Sequence, residues 1–175
     1  MIFTPTNLKD AYTIKREPRS DDRGWFARTF AKEELKKAGI EFNLVHINQS
    51  FNKEKGTLRG MHRQVAPKEE AKIIQCLKGK IFDVAIDMRE GSPTFHKWFG
   101  IELSEDNDTM FYIPKGFCHG YQTLTENCLI QYFVDEYYAP EAEKGAMWND
   151  RAFNIDWPIK TPILSPKDQQ WPAII

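Results

Sequence analysis

From residue 44 to residue 134 helical periodicity is absent. In its place come short runs rich in Ile, Val, Phe and Tyr, at residues 73–77, 81–88, 98–103, 110–113 and 129–134, parted by Gly, Pro, Asn and Asp. Segments this short do not make stable helices, and many short strands separated by turn chemistry pack as a sandwich or a barrel. In the run 81–88, Phe82, Val84 and Ile86 alternate with Asp83, Ala85 and Asp87, the period-two pattern of a strand with one buried face. Lys78-Gly79-Lys80 and residues 89–93 are expected to close hairpins, and Glu105-Asp106-Asn107-Asp108 to form a polar hairpin tip.

The flanks are simpler. Residues 1–14 predict one or two brief strands, and residues 32–38 one short, solvated surface helix that stops at Gly39. From residue 139 onward Pro140, Pro158, Pro162, Pro166 and Pro172 exclude helix and central strand. Trp148, Phe153, Ile155, Trp157, Ile163 and Leu164 give this extended tail enough apolar surface to pack over the β-fold and carry polar residues into a site. With 175 residues, 41% of them hydrophobic, the chain is expected to form one domain over residues 1–175.

Charge and cysteine usage narrow the function. Lys plus Arg number 24 against 25 Asp plus Glu, so no global positive field draws the chain to nucleic acid or membrane, and an anionic ligand has to be met by local cations. Cys76, Cys118 and Cys128 are odd in number and lack CxxC spacing, which predicts reduced thiols in a cytoplasmic protein. Neither an apolar signal region nor a run of membrane-spanning length is present.

Several polar residues can carry chemistry. In Gly56-Thr57-Leu58-Arg59-Gly60-Met61-His62-Arg63-Gln64 a permanently charged arginine precedes a titratable imidazole by three residues, around a glycine that allows a tight turn. An anion hook beside a proton acceptor fits a phosphorylated substrate that loses a proton; read alone, the segment is rather a polar surface turn. Lys72 opens an apolar strand, where its ammonium could meet a developing oxyanion or simply reach out to solvent. His119 follows the turn-forming Pro114-Lys115-Gly116 and is either a site residue or a core histidine held by carbonyls. Tyr132 shares a strand face with Ile130 and Val134, where its hydroxyl can donate a proton or only pack, and Asp168 is a candidate partner for a histidine. Trp25 and Phe26, beside arginines, either stack on a base or pack in the core. His46, His62, His96 and His119 show no His-x-His pair, so no metal ligand set is predicted.

Taken in order, the motifs resemble one family over nearly the whole chain: the nucleotide-sugar 3,5-epimerases of the dTDP-4-dehydrorhamnose 3,5-epimerase type. They are Asp22-Arg23-Gly24-Trp25-Phe26, Leu58-Arg59-Gly60-Met61-His62, the run from Gly79 to Asp87, Gly91-Ser92-Pro93-Thr94-Phe95, the run from Ile113 to Gly120, Tyr137-Tyr138-Ala139-Pro140-Glu141, Ile155-Asp156-Trp157-Pro158 and the run from Ile163 to Asp168. The resemblance implies an all-β, cupin-like jelly-roll barrel or sandwich with one or two short peripheral helices, an extended C-terminal tail, and neither metal nor other cofactor. It implies a 4-keto-6-deoxyhexose on a nucleoside diphosphate, whose C4 ketone acidifies the hydrogens at C3 and C5 so that both centres invert through an enolate. His62 would be the base, oriented by Asp168; Tyr132 the acid on the opposite face; Lys72 and His119 the enolate-stabilising pair. Arg59 would hold the diphosphate, with Asn48, Tyr138, Lys167, Arg28 and His46 around the nucleotide. A homodimer is implied, with Arg23 and Phe26 of the N-terminal segment reaching the partner's site.

The chain departs from the family pattern in places. Arg63 stands where tyrosine usually follows the histidine, Arg28 where glutamate is common and His46 where glutamine is common. Replacing an acceptor by a donor changes which base can be read, so a CDP-linked sugar stands beside a dTDP-linked one. Epimerisation at C3 or C5 alone, 3,4-ketoisomerisation, and a non-catalytic sugar-nucleotide-binding cupin are the rival readings.

Overall fold

The computed structural model of the chain describes residues 1–174. Its elements run β1 (Ile2–Pro5), β2 (Tyr12–Lys15), β3 (Arg19–Asp21), β4 (Gly24–Phe26), α1 (Lys32–Lys37), β5 (His46–Asn52), β6 (Thr57–Gln64) and β7 (Lys72–Lys78). They continue through β8 (Lys80–Asp87), β9 (Trp98–Ser104), β10 (Thr109–Ile113), β11 (Phe117–Thr123), β12 (Cys128–Val134), a 3-10 turn (Pro140–Ala142), β13 (Glu143–Gly145) and β14 (Ile163–Leu164). One six-stranded sheet has the order β1-β2-β10-β7-β12-β5; a second runs β13-β6-β11-β8-β9, with β14 added to β6. Every ladder in both is antiparallel except β14 on β6. The sheets face one another without closing into a barrel, giving the cupin-like, all-β sandwich the motifs implied.

From β5 onward the chain changes sheet between β5 and β6, β6 and β7, β7 and β8, β9 and β10, β10 and β11, β11 and β12, and β12 and β13. Two predicted hairpins are therefore corrected. Lys78-Gly79-Lys80 joins strands of different sheets, as does the 105–108 turn, because each strand's partner lies in the sheet it enters. Residues 89–93 lie in the connection between β8 and β9, which do pair. The interior is built from both sheets, with Ile74, Phe111 and Ile130 against Ile81, Ala85, Leu103 and Tyr121.

Each outer face is also covered. Leu35 of α1 packs with Phe42 and with Ile14, Ile73, Met110 and Phe133 of the first sheet, so the predicted surface helix has one buried anchor. The proline-rich tail lies on the second sheet, where Phe153 and Trp157 pack against Leu58, Met61, Val84 and Ile86. It is fastened to β11 by Gln122 exchanging hydrogen bonds with the Ile159 backbone at 2.8 and 2.9 Å, and braced internally by Trp157 Nε1 donating to the Trp148 carbonyl at 2.8 Å. This double covering overturns the one-sided reading of β8: Asp83 and Asp87 are both 0% exposed. Asp87 is satisfied by Arg89, Ser92 and Thr94, which hold its carboxyl down to about 2 although burial opposes them.

Among the described residues no helix is long and apolar enough to cross a membrane.

Candidate active site

A cavity of about 370 Å³ opens between the sheets. The first sheet contributes His46, Asn48 and Ser50 from β5, Lys72 from β7 and Tyr132 from β12; the second contributes Arg59, His62 and Arg63 from β6 and His119 and Tyr121 from β11. Tyr138, Glu143 and Lys167 complete the wall. Most of the residues singled out from sequence thus converge on one place.

The segment that sequence leaves open as a surface turn is a strand with a bulge. Along a regular strand, residues three apart point to opposite faces, which would separate Arg59 from His62. Here His119 pairs with His62 and Tyr121 with Arg59, so three steps on β6 match two on β11. The extra residue restores both side chains to the cavity face. Gly60 makes this possible: its φ is +114°, and a Cβ there would sit 2.6 Å from the His119 carbonyl oxygen and 2.7 Å from Gly120 Cα. His119, also expected near a tight turn, lies within β11, and the turn ends at Gly116.

Asp168 supports this bulge from the tail. Its Oδ1 accepts the Gly60 N–H at 3.3 Å and its Oδ2 accepts from Ser165 Oγ at 2.8 Å. Among the described residues no hydrogen bond joins Asp168 to the His62 ring; both of its oxygens are engaged elsewhere, and it reaches the imidazole through two residues of backbone. The direct histidine–carboxylate contact belongs instead to His119, whose Nε2 lies 2.7 Å from Oδ1 of the buried Asp83. Burial pushes the Asp83 carboxyl up, against the pull of His119 and Lys72, and its other oxygen, Oδ2, is buried without a partner.

The electrostatics separate His62 from Tyr132. Burial first, then the Lys72 ammonium and His119, push the His62 imidazole down to about 3, so it is neutral at physiological pH. Burial, and next the neighbouring Tyr121 phenol, raise Tyr132 well above the ordinary phenol value, with Ser50 opposing, so its proton stays on. His62 on the second sheet and Tyr132 on the first face the cavity from opposite walls.

The cations divide by pairing. Lys72 Nζ lies 2.8 Å from Glu70 Oε1, and Lys167 Nζ 2.6 Å from Glu143 Oε2, which also accepts from Tyr138 Oη at 3.0 Å. Among the described residues Arg59 and Arg63 form no ion pair, which leaves both free for an anion. No cluster of three or more His, Cys, Asp or Glu that could hold a metal ion occurs among the described residues.

Arg23, Phe26 and Arg28 do not reach this cavity. Trp25 and Phe26 are 62% and 71% exposed on the β3–β4 hairpin, which decides against core packing for them. Arg23 pairs with Asp21, Arg28 with Glu34, and Phe26 and Arg28 line a separate hollow beside Met1 and Glu17. Sequence reasoning missed Asp83, Glu70, Glu143, Ser50 and Tyr121. An aspartate inside an apolar strand was the one available signal, and it was absorbed by the alternating pattern.

Comparison with known proteins agrees with the geometry. The family model described as dTDP-4-dehydrorhamnose 3,5-epimerase matches residues 5–175. A protein of that name from Methanothermobacter thermautotrophicus is 38% identical over 172 residues, covering 97% of this chain and 92% of its own. The crystal structure of dTDP-4-dehydrorhamnose 3,5-epimerase from Bacillus anthracis, with TDP and PPi bound, superposes with a TM-score of 0.96 at 41% identity and covers 99% of both chains. That of a dTDP-6-deoxy-D-glucose-3,5-epimerase from Legionella pneumophila in complex with dTDP-4-keto-L-rhamnose gives 0.93 at 36% identity, covering 98% of this chain and 92% of its own.

Proposed function

The chain belongs to the dTDP-4-dehydrorhamnose 3,5-epimerase family of isomerases, and from that premise we propose that it inverts C3 and C5 of dTDP-4-keto-6-deoxyglucose to give dTDP-4-keto-rhamnose. The observation that carries the mechanism is the placement of a neutral imidazole and a protonated phenol on opposite walls of one cavity. Inversion requires a proton to leave one face of the sugar ring and another to return on the other.

His62 takes the proton from the carbon next to the C4 ketone, and the electron pair moves onto the ketone oxygen as an enolate. Lys72 and His119 stabilise that charge, His119 being held by Asp83. Tyr132 returns a proton to the opposite face, and solvent resets both groups. A base held down to about 3 is weak; burial is the first cause and the Lys72 ammonium the next. A diphosphate arriving on Arg59 and Arg63 offsets the Lys72 charge and so raises the imidazole from that value. Asp168 positions His62 by holding the Gly60 bulge.

Asn48, His46, Lys167 and Tyr138 receive the nucleotide at the mouth, with the Tyr138 ring, 61% exposed, available for stacking. Arg23, Phe26 and Arg28 act in a homodimer, where the exposed β3–β4 hairpin extends to the partner's cavity; their distance from the cavity of their own chain supports this. The protein works as one domain in the cytoplasm, in keeping with three buried free thiols.

The test is NMR of dTDP-4-keto-6-deoxyglucose incubated with the protein in deuterated water. Deuterium at both C3 and C5 with inverted products supports the reading. Labelling at one carbon only would reduce it to a mono-epimerase, and turnover of the CDP-linked sugar alone would move the base assignment.

A further inference from the structure

A chain of hydrogen bonds crosses the cavity floor between the sheets. Tyr121, 2% exposed, stands opposite Arg59 in the β6–β11 register. Its Oη lies 3.0 Å from Ser50 Oγ and accepts from Asn52 Nδ2 at 3.1 Å. Asn52, 3% exposed, in turn accepts from Arg59 Nε at 2.7 Å. On its other side the Tyr121 ring is 6.4 Å from that of Tyr132 and 6.3 Å from that of His119, which is itself 6.5 Å from Tyr132.

A phenylalanine would fill the same volume, and a buried hydroxyl without partners is costly. Here the hydroxyl is met by Ser50 and Asn52, which fixes a ring whose centroid stands 6.4 Å from that of Tyr132. Arginine carries five N–H donors; with Nε committed to Asn52, its terminal nitrogens are left pointing their donors at an anion.

We propose that Tyr121 is a positioning residue. Its hydroxyl, fixed by Ser50 and Asn52, sets the position of the Tyr132 phenol over the sugar, and Asn52 ties that position to the arginine that meets the diphosphate. The proposal rests on the reading of Tyr132 as the returning acid. Substrate recognition at the phosphates and proton return at the sugar then share one hydrogen-bonded unit.

The experiment compares wild type, Tyr121→Phe, Asn52→Ser and Tyr132→Phe acting on dTDP-4-keto-6-deoxyglucose in deuterated water, with deuterium wash-in and epimer formation followed separately. Loss of the Tyr121 hydroxyl should leave wash-in and KM within about twofold of wild type, while epimer formed per exchange event falls about tenfold, the scale of one hydrogen bond. Asn52→Ser, too short to span both partners, should show the same fall together with a KM raised about tenfold. Should Tyr121→Phe fail to fold, Asn52→Ser carries the test on the same ratio.

A wild-type ratio in Tyr121→Phe with an impaired one in Tyr132→Phe overturns the positioning role alone. A wild-type ratio in Tyr132→Phe removes the acid assignment and this proposal with it. An equal fall of exchange and product in Tyr121→Phe would mark a packing defect and also overturn the proposal.

Discussion

Replacing Gly60 by alanine tests the bulge that brings Arg59 and His62 to one face. The backbone there has φ +114°, which costs a residue with a side chain about 1–3 kcal/mol. The added methyl would lie 2.6 Å from the His119 carbonyl oxygen and 2.7 Å from Gly120 Cα, both backbone atoms of a central strand, so relief requires moving β11 at about a further 1–3 kcal/mol. The sum, about 2–6 kcal/mol, is a large part of the ~5–15 kcal/mol that holds a domain of this kind together. Gly91 is the control: its φ is +80° but nothing lies within 4 Å of a Cβ, so Gly91→Ala should cost only about 1–2 kcal/mol. Urea unfolding gives the stabilities, and deuterium wash-in per folded molecule gives the activity. If Gly60→Ala were no less stable than Gly91→Ala, or exchanged at the wild-type rate, the bulge would not be what assembles the site.

Further outcomes follow from the same geometry. Asp168→Ala, which removes the acceptor for the Gly60 N–H, should cost about 1–3 kcal/mol in urea unfolding and lower wash-in; Asp168→Asn, which can still accept, should recover most of the stability. His62 has a folded value of about 3 against 6.5 unfolded, so the unfolded chain binds the extra proton and stability falls as pH drops from 6.5 toward 3. Between pH 7 and pH 4.5 this amounts to about 2–3 kcal/mol, and His62→Gln should remove it from the pH dependence of urea unfolding. Asp87 has little effect in that window, because its stabilisation fades only below 3.8 as pH falls toward about 2. If Arg59 meets the phosphates rather than the reacting carbon, as proposed, Arg59→Ala should raise KM about tenfold or more while saturated wash-in changes little.

The strands at 73–77, 81–88, 98–103, 110–113 and 129–134 were legible because their apolar residues recur at strand spacing between turn residues, and the structure extends each by a residue or two or trims an end. β6 and β11 were harder to see. Gly60, Gly116 and Gly120 read as turn residues, yet Gly60 forms a bulge, and a Cβ on Gly120 would meet the Met61 sulfur at 2.5 Å. Sheet switching is likewise invisible locally, since Lys78-Gly79-Lys80 has hairpin composition whether or not its strands pair. Among the cavity residues, His62, Lys72, His119 and Tyr132 could be singled out by motif and chemistry. Asp83 could not, because alternation assigns it to solvent, whereas it shares its face with Ile81 and Ala85 between the sheets while the tail covers the Phe82, Val84 and Ile86 face. Tyr121 and Asn52 matter through each other, and their pairing exists only once β5, β6 and β11 meet.

The central claim is that a neutral His62 removes the proton that begins inversion. Solvent deuterium incorporation at C3 and C5 of dTDP-4-keto-6-deoxyglucose, measured by NMR for wild type and for a His62→Ala protein of matched fold, addresses it directly. Wild type should label both carbons, and His62→Ala neither, over the same period. Labelling by His62→Ala at the wild-type rate would contradict the account.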